Sequence, residues 1–209
     1  MIHRTLVHAR SANSLRAAIA LELAGAPFER IAIDLTVDEQ RAMLLALHAA
    51  GKVPVYVEDN GARFVLAQSG AIAEHVLRDA RPELFPVDRR GRAATAASVL
   101  AAISDIAVQN ALLRYMAFDP RNVAFLRDRV LEALRAALGG LADHAFVCGD
   151  ALTIADVAHY PVVHMRRPLL ERTGGFGHVL AWADRLRALE PWARAIAYAG
   201  LELPAEVAP

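Results

Sequence analysis

At 209 residues with 56% apolar side chains, the chain is long enough to bury one large core or two smaller ones, and two are expected. Its 23 basic and 23 acidic residues cancel to a formal net charge of zero, which argues against the positive field that nucleic acid or an anionic membrane would select. A single cysteine, Cys148, excludes an internal disulfide framework and fits a reducing compartment.

Residues 6–9 read as a short strand. Residues 14–24 carry apolar side chains at Leu15, Ile19, Ala20 and Leu23 and stop at Gly25, the pattern of an amphipathic helix. Ile31, Ile33 and Leu35 alternate with Ala32 and Asp34, so a second strand follows, parallel to the first through a right-handed crossover. Residues 38–49 are expected to be helical. Val55 and Val57 on one side, and Phe64, Val65 and Leu66 on the other, flank Asp59-Asn60-Gly61, which supplies the positive φ that a tight hairpin demands. Ser69 stands as the N-cap of a helix carrying Ile72, Val76 and Leu77. The order is βαβαββα, a thioredoxin-like domain over residues 1–80.

Residues 81–88, with Pro82 and Pro86, read as a linker. Helical periodicity then runs through 93–116, 123–138, 154–169 and 179–189, so residues 89–209 are assigned to an α-helical bundle and the fold class is α/β plus all-α. Within it, Thr153 and Asp156 form a capping pair, and the role of Asp156 is structural. The longest uncharged run, 93–104, is shorter than the roughly 18 to 20 apolar residues of a membrane span. Met1-Ile2-His3-Arg4 leads directly into a strand rather than a secretory leader, and a cytoplasmic protein is expected.

Two places suit ligand chemistry. Backbone N–H groups and a hydroxyl at a helix N-terminus attract an anion, which makes Gln68 and Ser69 a candidate carboxylate site. Lys52, the only lysine, stands beside the loop that leads into the hairpin. No metal site is expected: His3 and His8 fall on opposite faces of one strand, and His159 and His164 miss the i, i+4 spacing of paired helical ligands. Cys148 reads as a small buried residue.

Val53-Pro54 ahead of the hairpin and Gln68-Ser69 opening the next helix resemble the cytosolic glutathione transferase family. In that family the X-Pro bond is cis, the residue before the proline pairs through its backbone with the cysteinyl part of glutathione, and a Gln/Glu-Ser pair takes the γ-glutamyl carboxylate. The run Gly149-Asp150-Ala151-Leu152-Thr153-Ile154-Ala155-Asp156 is similar to the capping motif of that family's helical domain. The resemblance extends from Leu6 to about Ile196. Arg10-Ser11-Ala12-Asn13-Ser14-Leu15-Arg16, between the first strand and helix, looks like the zeta class, the maleylacetoacetate isomerases, whose run is Arg-Ser-Ser-Cys-Ser-X-Arg.

Ser11 matches the serine that hydrogen-bonds the glutathione sulfur, and Asn13 stands where that class has cysteine. Ser-X-Asn is also similar to bacterial nu-type transferases, and other features are beta-like. A free thiol, with a pKa of about 8.5, is mostly protonated at neutral pH, so a transferase must supply donors to the sulfur. The resemblance implies Ser11 and Asn13 in that catalytic role, and Lys52, Val53, Pro54, Gln68 and Ser69 holding glutathione as cofactor. On the same residues, Ser11, Asn13 and Ser14 also read as ordinary turn and cap residues.

The implied activity is glutathione transfer to a small hydrophobic or conjugated electrophile, as in detoxification. The alternatives are an isomerase of the maleylacetoacetate or maleylpyruvate type, a glutathione-dependent disulfide reductase, and a noncatalytic regulatory relative. Arg166 or Arg167 is a candidate for a substrate carboxylate, although the zeta-class arginine aligns with Pro168. Arg114 and Tyr115 are candidates for lining the cleft. The family implies a homodimer, and the charge balance implies no nucleic-acid or membrane partner.

Overall fold

The computed structural model describes residues 2–200, and Arg114 in its backbone only; positions 201–209 of the expected helical bundle lie outside the described residues. The chain forms two units, one running to Pro82 and taking back the helix that starts at Glu190, the other spanning Glu83–Leu189.

The first unit contains strand β1 (His3–His8), helix α1 (Ala12–Ala24), β2 (Glu29–Ala32), α2 (Asp38–Leu47), β3 (Val55–Asp59), β4 (Arg63–Ala67) and α3 (Ser69–Ala80). The sheet order is β2-β1-β3-β4, with β1 and β2 parallel and the other two pairs antiparallel. This is the thioredoxin-like order expected from the sequence. At the hairpin, Gly61 takes φ 102° and its N–H donates to Asp59 Oδ1 at 2.9 Å. The second strand is shorter than its alternating pattern suggested. Asp34 Oδ1 accepts from the N–H and hydroxyl of Thr36 at 2.8 and 2.7 Å, and this local turn draws the chain off the sheet edge.

Helix α1 is buried almost all round, with Leu15, Ala17, Ala18, Ile19, Ala20 and Leu21 inside. Its small side chains let neighbours approach closely. On one side it packs against α3. A second apolar cluster, Val7, Ile33, Leu44 and Val55, joins the sheet to α2.

The second unit is helical: α4 (Arg89–Leu100), a π-helical segment (Ala101–Ile106), α5 (Ala107–Tyr115), α6 (Pro120–Leu138), α7 (Ile154–Thr173) and α8 (Gly177–Arg187). The single helix expected over 93–116 is interrupted by the π segment, where the Ser104 hydroxyl donates to the Leu100 carbonyl at 2.8 Å and competes with the regular ladder. The continuous run Arg89–Leu113 is long and apolar enough to cross a membrane by length and composition, with a window of mean hydropathy 1.5. Arg92 and Asp105 bound its longest uncharged stretch, and its apolar character extends past those isolated charges. Here the run packs on α6 and α7. Residues 81–88 hold a short 3₁₀ turn, Pro82–Leu84, with Leu84 buried, and Asp88 caps α4 by accepting from Gly91 N–H at 2.8 Å. Cys148 is half-buried.

Helix α9 (Glu190–Tyr198) corrects the assignment of everything beyond residue 89 to the helical bundle. It lies on α1, which α3 leaves only partly covered: Trp192, Ala195 and Ile196 are buried, Arg194 Nε donates to Glu22 Oε2 at 2.6 Å, and the Tyr198 hydroxyl donates to the Ala18 carbonyl at 3.3 Å.

Tyr198 also packs edge-on to His8, ring centroids 6.1 Å apart, while the Arg30 guanidinium lies 4.3 Å from the Tyr198 ring. Burial, and then the Arg30 charge, lower the His8 pKa from 6.5. The unfolded chain therefore binds a proton at His8 that the folded chain resists, so stability is present above pH 6.5 and is lost as pH falls toward the folded pKa. A His8→Leu variant is expected to lose less Tm than wild type between about pH 7.5 and pH 5.5 in calorimetry. Equal losses in the two proteins would remove His8 as the source.

Candidate functional site

Three segments leave the same end of the sheet. Val55 of β3 pairs with Val7 of β1 on one side and with Ala67 of β4 on the other. Just beyond that row lie the loop from Ala9 to Ser11 after β1, Val53-Pro54 before β3, and Gln68-Ser69 after β4. Antiparallel pairing on both sides of β3 thus gathers residues from positions 11, 53 and 69.

Ser11 is the N-cap of α1, extended at φ −158° and ψ 154°, and its Oγ accepts from Ser14 N–H at 3.1 Å. The Ser11 and Ser14 hydroxyls lie 3.0 Å apart, and Ser14 Oγ accepts from Ala9 N–H at 3.3 Å. Either hydroxyl can supply the proton between them, because hydroxyls rotate. Capping and donation to a ligand are therefore compatible: the Ser11 oxygen accepts from the helix while its O–H can turn outward. The first turn of α1 has no acidic residue, so its N-terminal dipole is left to favour an anion.

Asn13, half-buried, places its Oδ1 2.7 Å from Arg16 Nη1. The same nitrogen donates to Ser69 Oγ at 2.7 Å. Arg16 is 0% exposed, and burial lowers its pKa to about 10, still well above neutrality. Its place in the motif assigns this arginine no role by itself. Its signal was visible, however: one guanidinium amid Leu15, Ala17, Ala18 and Ile19 on a buried helix requires partners.

Ser69, expected as the N-cap of α3, is instead the first helical residue, and Gln68 is the cap. Gln68 holds φ 73° and ψ 110° with no side-chain capping bond. Such a backbone costs roughly 1–3 kcal/mol in a non-glycine residue and is found where a ligand clamp requires it. The reason is the connection: β4 ends at Ala67 and α3 starts at Ser69, so one residue absorbs the whole change of direction. Gln68 is exposed and Ser69 is buried.

The Val53–Pro54 peptide bond is cis. Pro54 is buried, Val53 is half-buried against the Val7–Val55 cluster, and Lys52 is exposed ahead of them. Val53 lies outside the paired register of β3.

In the helical unit, Arg167 is committed to the fold, donating to Glu171 Oε1 at 2.8 Å and to Asp184 Oδ2 at 3.0 Å. Arg166 is different. It donates from Nε to Asn110 Oδ1 at 2.6 Å and from Nη2 to the Asn110 carbonyl at 3.2 Å, with no carboxylate partner among the described residues. Tyr115 is exposed, and the Arg114 side chain lies outside the described residues.

Comparison with known proteins follows this division of the chain. Residues 3–78 match the family model for the glutathione S-transferase N-terminal domain, and residues 103–190 match that for the glutathione S-transferase C-terminal domain. Glutathione S-transferase 4 of Zea mays is 32% identical over 189 residues, covering 83% of this chain and 82% of that protein. A maleylacetoacetate isomerase of Aspergillus fumigatus is 29% identical over 168 residues, covering 74% and 72%. Among solved structures, the theta class glutathione S-transferase of Xanthomonas axonopodis pv. citri with glutathione bound superposes with a TM-score of 0.81 at 23% identity, covering 94% of this chain and 98% of that one. With both family models matched in order and a relative above 30% identity along most of its length, the chain belongs to the glutathione S-transferase family.

Proposed function

We propose that this chain binds glutathione at the sheet end where β1, β3 and β4 release Ser11, Val53 and Ser69, and activates its thiol for transfer to a small hydrophobic or conjugated electrophile. The convergence of these three segments carries the reading. Bound glutathione supplies a sulfur nucleophile. The Val53 backbone pairs with its cysteinyl unit, the α3 N-terminus with Gln68 and Ser69 takes the γ-glutamyl carboxylate, and Lys52 adds a positive charge beside the loop. Ser11 turns its O–H toward the sulfur while Ser14 keeps the cap bond, and Asn13 adds an amide donor. The uncompensated dipole of α1 favours the anionic form of that sulfur. The helical unit accepts the electrophile. The assembly proposed is a cytoplasmic homodimer acting in detoxification.

An isomerase of the maleylacetoacetate type is the second reading. What supports it is Arg166, whose guanidinium is held by an amide rather than a carboxylate and so retains its charge for a substrate carboxylate.

The test is an ultraviolet titration of glutathione thiolate on the purified protein, with calorimetry for binding. A thiolate signal appearing about one to two pH units below the free thiol, whose pKa is about 8.5, is expected. Absence of both binding and thiolate overturns the proposal.

A further inference from the structure

We infer that Arg16 is a positioning residue that sets the hydrogen-bond polarity of the whole glutathione site, turning Asn13 and Ser69 into outward donors from a single buried nitrogen. The inference rests on the glutathione reading above and adds what makes both ends of that site anion receptors.

A guanidinium donates and never accepts. An asparagine amide is nearly symmetric in shape, with an accepting oxygen and a donating nitrogen, so its outward face depends on what holds its inner face. Arg16 Nη1 lies 2.7 Å from Asn13 Oδ1, and only the carbonyl side of the amide can satisfy that contact. The Asn13 NH₂ is consequently the group left to face a ligand. The same logic applies at Ser69. Its Oγ accepts from Arg16 Nη1 at 2.7 Å, so its hydroxyl hydrogen points away from the guanidinium and is available to a carboxylate.

The two acceptors lie on different helices, α1 and α3, and Arg16 is 53 positions from Ser69. One nitrogen therefore sets the polarity at both the thiol end and the carboxylate end. The guanidinium is fully buried, so its orientation is held by packing as well as by these bonds. Its positive charge lies behind both sites without meeting solvent, where it is weakly screened.

A merely structural arginine and a polarity-setting one differ in what their neighbours do when changed. Asn13→Asp keeps a partner for Arg16, indeed an ionic one, so the fold is retained. It replaces the outward NH₂ with a second accepting oxygen. In the titration of bound glutathione, this variant is expected to raise the thiol pKa by at least about one unit above wild type, a tenfold smaller thiolate-to-thiol ratio at fixed pH. Arg16→Lys keeps the charge on a side chain one bond shorter, whose ammonium stops short of the Nη1 position that meets both Asn13 and Ser69. It is expected to raise the thiol pKa and also to weaken glutathione binding about tenfold. Ser69→Ala is expected to weaken binding without moving the thiol pKa. The combination Arg16→Lys with Asn13→Ala is expected to shift the thiol no further than Asn13→Ala alone, because the arginine acts on the sulfur through that amide.

If Asn13→Asp leaves the thiol pKa at or below the wild-type value, the inference is overturned. The same follows if Arg16→Lys lowers only the melting temperature while binding and thiol pKa stay as in wild type. A wild-type protein that neither binds glutathione nor forms the thiolate overturns the functional reading and this inference together. Wild-type activation with unchanged variants overturns this inference alone.

Discussion

Ser11→Ala is expected to lower kcat/KM for conjugation of glutathione about a hundredfold, with little change in KM for glutathione. The size follows from removing one preorganised donor to a developing or resident anion, which typically costs 10²–10³ in rate. The loss falls mainly on turnover because the tripeptide is proposed to be held elsewhere, by Val53, Gln68 and Ser69. Ser11 also caps α1, accepting from Ser14 N–H at 3.1 Å. Losing a serine cap costs about 1 kcal/mol, and for a chain of this size that lowers Tm by only about 2–4 °C. Such destabilisation cannot reduce turnover a hundredfold in a protein that remains folded at the assay temperature. Ser11→Thr retains the hydroxyl and the cap and is expected to recover most of the activity. A Ser11→Ala enzyme within threefold of wild type would transfer the sulfur-donor role away from Ser11, with Asn13 the next residue to test.

Asp156→Ala is expected to destabilise the helical unit by about 3–5 kcal/mol, lowering Tm by at least about 6 °C. The side chain is 0% exposed. One oxygen accepts from Val147 N–H at 3.0 Å and Trp182 Nε1–H at 2.9 Å, and the other accepts from Thr153 N–H at 2.9 Å and the Thr153 hydroxyl at 3.3 Å. Alanine leaves buried donors without an acceptor, each worth roughly 1–3 kcal/mol. These losses share one cavity and do not simply add. Burial alone raises the Asp156 pKa, and the four hydrogen bonds oppose it, which is why a carboxylate at the start of α7 is tolerated in the core. Asp156→Asn is expected to fall between wild type and alanine, because an amide nitrogen cannot accept from the donors facing it. Calorimetry checks the order. A Tm loss under about 2 °C for Asp156→Ala would mean that the network contributes little to stability. Kinetics on the folded fraction at low temperature are expected to retain kcat, since Asp156 belongs to a cap and touches none of the proposed site residues.

Much of the fold was legible because the signals are local. Asp59-Asn60-Gly61 closes its hairpin within three residues, Thr153 and Asp156 cap α7 across one turn, and the crossover through α1 determines that β2 runs parallel to β1. Each depends on φ/ψ preference, side-chain-to-backbone bonds or periodicity within a few positions of the chain. Ser11, Asn13, Val53 and Ser69 were legible as motif positions through the resemblance of short runs to the glutathione transferase family, each run contained within a few residues.

Competing local hydrogen bonds and tertiary structure decided the rest. Asp34 ended β2 early and Ser104 interrupted the long helix through local bonds that compete with regular structure and are not visible in a hydrophobic pattern. Helix α9 lies past the last stretch of helical periodicity read from the sequence, and only the uncovered side of α1 places it with the sheet rather than the bundle. Arg166 and Arg167 are adjacent and chemically identical in the sequence; Asp184, seventeen positions on, occupies one and Asn110, 56 positions back, holds the other. Arg16 belongs to the motif by position, but its two acceptors fix its meaning, and Ser69 reaches it only after β1, β3 and β4 have paired. The sequence alone determined where the motif residues stand along the chain. Which groups meet was decided by non-local pairing, because a buried polar atom takes its partner from whatever the folded chain brings within hydrogen-bond distance.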